Sequence, residues 1–410
     1  MRLPTDNRLA LLKRFWLGAS PLLLVGCTGA ASSSTSEVPD DSAVFERIQL
    51  SAEFLAEGAN AGDFDRDGTL DVVAGPYWYA GPDFTERHTI YTPTSFDPKA
   101  YSDNFFAFVR DLDADGWDDV LVVGFPGKEA RWYGNPGEPS LPWPRHSIFP
   151  NVDNEAPDFT DVSGDGRPEL VFSTLGQLGY AEPASDPSAP WSFRALSEVG
   201  PFQTFTHGLG IGDLNGDSRL DLLEATAWWE QPADPAATPL WLQHPQQFGA
   251  GGAQMLVYDV DGDGDADVLT TLAAHGYGIA WFEQRSEAGQ LTFVEHVISS
   301  AEPGPDALHE PHALALADIN ADGLLDVVAG ERFWGHVPAG EPDFNAPARL
   351  QWFELRRNTG RVEYVPHLID TASGVGTQVV ARDVNGDDRV DIVVANKKGA
   401  FVFLQKAVAP

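Results

Sequence analysis

Residues 255–270 read MLVYDVDGDGDADVLT. An apolar run enters a nine-residue acidic segment at Asp259, and a second run, Val268-Leu269-Thr270, leaves it. Acids stand at the first, third, fifth and ninth positions of the segment, and glycine at the sixth allows a sharp bend. Short apolar and β-branched runs on both sides of such a turn predict a hairpin of two buried strands.

The segment recurs along the chain. Its copies begin at Asp63 (DFDRDGTLD), Asp111 (DLDADGWDD), Asp161 (DVSGDGRPE), Asp213 (DLNGDSRLD), Asp259, Asp318 (DINADGLLD) and Asp383 (DVNGDDRVD), with successive starts 48, 50, 52, 46, 59 and 65 residues apart. A period near 50 residues suits one four-stranded blade per repeat. A third strand carries an aromatic signature: Tyr77-Trp78-Tyr79, Arg131-Trp132-Tyr133, Trp228-Trp229-Glu230, Ala280-Trp281-Phe282, Gln351-Trp352-Phe353 and Phe401-Val402-Phe403. A fourth is basic and apolar, at residues 84–90 (FTERHTI), 143–148 (WPRHSI), 293–298 (FVEHVI) and 364–369 (YVPHLI).

The last repeat ends without a fourth strand, whereas residues 44–50 (VFERIQL) form an orphan strand ahead of the first. Pairing the two would close a ring and cover a bare sheet edge. The expectation is an all-β chain: a single seven-bladed β-propeller over residues 44–410, closed by pairing the N-terminal strand with the last blade. The segments resemble the FG-GAP, or VCBS-type, repeats of integrin-like propellers.

Calcium takes six to eight oxygen ligands in tolerant geometry. Each acidic loop offers oxygens at its first, third, fifth and ninth positions. These are Asp63, Asp65, Asp67 and Asp71; Asp111, Asp113, Asp115 and Asp119; Asp161, Ser163, Asp165 and Glu169; and Asp213, Asn215, Asp217 and Asp221. The remaining loops supply Asp259, Asp261, Asp263 and Asp267; Asp318, Asn320, Asp322 and Asp326; and Asp383, Asn385, Asp387 and Asp391. So many carboxylates brought together repel one another without a cation, so up to seven structural Ca²⁺ are expected. An EF-hand would need Glu at position twelve and helical flanks; only Glu224 fits, and the flanks read as strands. Asp and Gly also favour turns for conformational reasons alone, but a turn does not call for acid at four spaced positions.

Hairpin geometry puts the start of each first strand and the end of each second strand on the face opposite the acidic loops. Residues about six before each first Asp, and thirteen to eighteen after it, should converge there. They include His207, His275, His309, Glu310, His312, Arg332, His336 and Lys397. Imidazoles with a carboxylate suit a transition ion such as Zn²⁺ or Mn²⁺. Arginine and lysine beside them suit an anionic oxygen. His88, His146, His244, His296 and His367 fall at one fourth-strand position and read as structural parts of the repeat.

HGLGIGDLNGD with AWWEQP, then AHGYGIAWFEQ, ERFWGH and NKKG, is similar to the propeller portion of aldos-2-ulose dehydratase. That resemblance implies metal-assisted chemistry on sugar substrates, with His207, His275, His309 and His312 about the metal, Arg332 or Lys397 on a carbonyl and Glu310 or His336 moving a proton. The family's cupin-type domains have no counterpart here. Two function classes therefore stand: a calcium-stabilised surface module binding a glycan, a protein or a small ligand, and a metal-assisted sugar lyase or isomerase.

The formal charge is −35, from 61 acids against 26 bases among 410 residues, which excludes nucleic acid as a partner. Residues 1–26 read as a lipoprotein signal peptide. Arg8, Lys13 and Arg14 precede a short apolar run ending in Leu24-Val25-Gly26-Cys27, which looks like a bacterial lipobox. Cys27, the sole cysteine, would carry the lipid, and residues 27–43 would form a flexible tether. The expected location is the bacterial cell envelope, extracytoplasmic and lipid-anchored, on the outer membrane if the organism has one.

Overall fold

The computed structural model describes residues 43–287, 289–304, 307–336, 347–358 and 360–407. The signal peptide, Cys27 and nearly all of the tether lie outside them. The described residues hold seven four-stranded antiparallel sheets and no α-helix. Each sheet is one blade of a seven-bladed β-propeller. In six blades the four strands follow one another in sequence; blade 1, for example, runs through Ala59–Gly62, Asp71–Ala74, Tyr77–Tyr79 and Arg87–Thr89. Blade 7 takes three strands from the C-terminal end, Val379–Arg382, Asp391–Asn396 and Gly399–Lys406, and its outermost strand from Val44–Ser51. That strand pairs from Val44 opposite Lys406 to Ser51 opposite Ala400.

The second strand of every blade is buried along its length, as in Asp119–Val123 and Asp391–Asn396. It is flanked by strands of its own sheet and by blades on either face, so Val, Leu and Ile are the residues that fit. The core is correspondingly divided into seven apolar clusters, each shared by two neighbouring blades. One, built from Ala59, Val72 and Phe84 with Val393, Val402 and Leu404, joins blade 1 to blade 7.

The fourth-strand histidines do serve the repeat. His88, His146, His244, His296 and His367 stack on Trp78, Trp132, Trp228, Trp281 and Trp352 of the adjacent strand, at centroid distances of 3.9–4.4 Å. His244, His296 and His367 also reach a glutamate within 2.9 Å. The innermost strands are tied across the channel by glutamines. Gln254 of blade 5 accepts from the Leu314 amide and donates to the Thr377 carbonyl, and Gln378 holds both polar groups of the Ala107 backbone.

Candidate functional site

All seven acidic loops share one conformation. Their fourth and sixth positions are left-handed throughout, including the non-glycine residues Arg66, Ala114, Ser218, Ala321 and Asp388. The first acid closes the loop on itself: Asp63 accepts from the amides of Asp67 and Gly68 at 3.1 Å, and Asp111 and Asp318 do the same in their loops. The ninth acid is a clamp. Asp71, Asp119, Asp221, Asp267, Asp326 and Asp391 are each buried, with one oxygen on the second loop amide and the other on an amide in or just after the third strand. Burial, only partly offset by those amides, pushes the carboxyls of Asp71, Asp267 and Asp326 up to about 7, and that of Asp119 to about 8.

The first three loops each offer a donor set that suits a hard cation. Oxygens of Asp63, Asp65 and Asp71 lie within 4.8 Å of one another, as do those of Asp111, Asp113 and Asp115 and of Asp161, Asp165 and Glu169. Loops four and seven differ. There Arg219 and Arg389 pair with the fifth-position acids Asp217 and Asp387. These are the loops without a sixth-position glycine, and the chain itself supplies a positive charge to them.

At the opposite mouth, the residue six positions before each first Asp stands at the entrance to the innermost strand. Around the ring these are Glu57, Phe105, Glu155, His207, Ala253, His312 and Thr377. His207 and His312 thus come from equivalent places in blades 4 and 6, and His275 rises between them from the end of the second strand of blade 5. Ring centroids are 4.5 Å apart for His207 and His275, 4.8 Å for His275 and His312, and 5.6 Å for His207 and His312. One ligating atom of each lies within 4.8 Å of the other two.

The tautomers follow from the backbone. His207 Nδ1 is 2.8 Å from the Phe205 carbonyl oxygen, and His312 Nδ1 is 3.1 Å from that of Glu310. A carbonyl oxygen only accepts, so Nδ1 carries the proton and Nε2 keeps its lone pair. The His312 Nε2 is buried and lacks a hydrogen-bond partner, whereas the buried His207 Nε2 faces a carboxylate, that of Glu155. Burial and the neighbouring Arg332 and imidazoles hold His312 well below the usual histidine range. His275 reaches solvent, yet desolvation of its inner face, with His207 and His336 beside it, brings it down to about 3.

Glu310 lies behind this trio. Its backbone is left-handed, φ 45°, which is strained for a residue with a side chain. The strain is held by bonds from the Glu310 amide to Gly276 and from the Arg332 amide to Glu310. The carboxylate is 1% exposed, Oε2 has no hydrogen-bond partner, and Oε1 is 3.7 Å from His336 Nδ1. His275, Glu310 and His336 offer a second set of ligating atoms within 4.8 Å of one another.

Two carboxylates absent from the expected set complete the mouth. Arg332, 3% exposed, reaches from blade 6 to Glu57 of blade 1 at 3.1 Å and to Glu155 of blade 3 at 3.3 Å. Glu155 also lies 3.5 Å from His207 Nε2. Burial alone would raise Glu155, but His207 and Arg332 outweigh it and hold it at about 2. Arg332 is therefore a strap between blades rather than a free cation aimed at a ligand. Lys397 likewise donates to the Trp334 carbonyl and lies 4.5 Å from the Tyr101 ring centroid. His309 is not part of the trio: it is buried, its amide bonds Glu331, and its ring faces Tyr277 at 5.6 Å.

Comparison with known proteins agrees with the repeat. The model of the FG-GAP-like repeat matches residues 111–172 and 259–329. No curated protein matches the chain in sequence. Among solved structures the chain is similar to that of an Agrocybe aegerita lectin described by its recognition of non-reducing terminal N-acetylglucosamine, at 14% identity and TM-score 0.46, over 89% of this chain and 86% of that one. It is also similar to rhamnogalacturonan lyase YesW, at 14% identity and TM-score 0.44 over 88% and 75%. A third is the Pseudomonas aeruginosa periplasmic gluconolactonase PpgL, at 15% and 0.42 over 85% and 94%. The chain is a seven-bladed β-propeller with FG-GAP-like repeats at residues 111–172 and 259–329.

Proposed function

We propose that this chain is a calcium-stabilised surface propeller that binds a sugar or another oxygen-rich ligand at the mouth opposite its acidic loops, over a divalent transition ion held by His207, His275 and His312. The observation that carries the reading is the buried Nε2 of His312, its tautomer set by a backbone carbonyl and without a partner, converging with ligating atoms of His207 and His275. Buried polar atoms are rarely left unmatched, and three convergent imidazoles are the donor set of zinc and its neighbours. A bound ion would polarise a ligand hydroxyl or carbonyl oxygen.

Elemental analysis of the purified protein tests this. The expected result is calcium plus one zinc or manganese per chain, with His312→Ala and His207→Ala losing the latter and keeping the calcium. Stoichiometric transition metal retained in both variants, or never present in the parent, refutes the centre.

The second reading, a sugar lyase or isomerase like aldos-2-ulose dehydratase, is favoured by Glu310. A buried carboxylate with an unpartnered oxygen beside the imidazoles is placed to take a proton from a bound sugar. Under this reading Glu310→Gln keeps the metal and ligand affinity but loses turnover. The lipid anchor belongs to the same proposal: Cys27→Ala would release the protein from the membrane fraction.

A further inference from the structure

Beside the mouth, on the same face, a cleft of about 750 Å³ opens in blade 2. That size lies within the usual range for small-ligand sites. Three aromatic side chains, Phe96, Tyr101 and Phe125, line it. Tyr101 and Phe125 lie 4.9 Å apart between centroids, and Phe125 continues toward the exposed Phe205, 5.5 Å away. Asp103, Lys128, Glu129 and Arg131 are also in the lining. Arg131 is almost fully buried, held by Tyr133 and the Asp103 carbonyl, and its guanidinium lies 3.5 Å from the Asp103 carboxylate.

This cleft reaches the ion pair of Arg332 and Glu57 at the mouth through Ser102. Tyr101 is within electrostatic reach of Arg332, Glu155, Glu57 and Glu310. The next residue, Ser102, lines the cleft and donates to Glu57 at 3.1 Å. The carboxylate that anchors Arg332 is thus braced by the cleft lining. A ligand filling the cleft would present its inner end to the mouth.

We propose that the cleft is a subsite for a pyranose ring of a neutral oligosaccharide, whose adjoining residue lies at the mouth. A lining that combines aromatic rings with hydrogen-bonding groups matches a sugar ring, which is apolar on its C–H faces and polar around its edge. Charge argues for a neutral glycan over a uronate polymer. The two acids and two bases of the lining cancel, and the chain's net charge of −35 repels polyanions. The inference rests on the proposed mouth site only for where the ligand's inner end lies.

Calorimetric titration with cello-, xylo-, manno- and malto-oligosaccharides of one to six residues tests it, with oligogalacturonates as the charged counterpart. At least one neutral series should gain about ten-fold or more in affinity between one and three residues, and Phe125→Ala should remove that gain. Ser147→Trp, which places a bulky ring in the cleft lining, should do the same. Both variants should retain the parent's metal content. Length dependence that survives both substitutions, binding confined to oligogalacturonates, or no binding by any series overturns the subsite. Because the titrations are run with and without metal, a failure of the metal centre appears as metal-independent binding and is distinguished from a failure of the cleft.

Discussion

Arg332→Met would remove the one cation linking Glu57 and Glu155 while keeping most of the side chain's volume. Arg332 is 3% exposed and Glu57 1% exposed, so water cannot replace the lost guanidinium without opening the mouth. Breaking a buried ion pair by deleting one partner costs about 3–5 kcal/mol. Glu155 keeps His207 and Glu57 keeps Ser102, so the loss should fall in that range rather than at twice it. Urea unfolding followed by tryptophan fluorescence would show it as a lower midpoint at an unchanged slope.

Adding Glu57→Gln and Glu155→Gln to Arg332→Met should restore more than half of the deficit, because the stranded charges are then gone. The pH dependence has a definite sign. Burial already holds the Glu57 carboxyl above its ordinary 4.5, and losing Arg332 raises it further. The folded variant then binds more protons than its unfolded chain, and its stability rises as pH falls. The deficit should therefore be smaller at pH 5 than at pH 8. A variant within about 1 kcal/mol of the parent, or one whose deficit grows toward acid, would refute the argument.

The loop clamps make a related prediction. With carboxyls lifted to between about 6 and about 8 at Asp71, Asp119, Asp221, Asp267, Asp326 and Asp391, chelator-treated protein should lose stability as pH rises from about 4 to about 8. Excess calcium should flatten that slope in thermal melts, and a slope indifferent to calcium would count against cation binding. Deleting residues 43–51 exposes the edge of Gly399–Lys406 and should lower the melting temperature and produce oligomers on size-exclusion chromatography. His244→Ala removes a 3.9 Å stack on Trp228 and a 2.9 Å bond to Glu230, at a cost of about 1 kcal/mol by urea titration.

The architecture was legible because it is written in phase. Each acidic loop sits between two apolar runs, and the tryptophans at Trp78, Trp132, Trp228, Trp281 and Trp352 mark the same strand each time. Blade 3 shows the limit. Its third strand, Gln177–Glu182, has Tyr180 where five other blades have tryptophan, and its fourth, Ser192–Ala195, lacks the histidine, so neither carries the signature. The same holds for the fourth strand of blade 4, Leu242–Pro245, whose His244 was recognised without the strand around it.

In the site, register predicted His207 and His312, whose positions repeat around the ring. The same register contained Glu57 and Glu155, which the search for histidines passed over. His309 misled because closeness in sequence to His312 says nothing about direction: three residues earlier, before a strained turn at Glu310, the ring points to Tyr277. The reach of Arg332 across two other blades has no sequence signature at all, since it depends on side chains 275 and 177 positions away.

The closing strand also sets an order of events. Gln49 donates to the carbonyl of Lys398 across 349 residues, so the partner of the first described strand emerges long after it. Six sheets can assemble from contiguous chain as it emerges, but the seventh must wait for the full polypeptide. Such distant pairing is slow, and until it happens the nascent molecule carries one raw border at which a neighbouring copy could exchange its own leading segment.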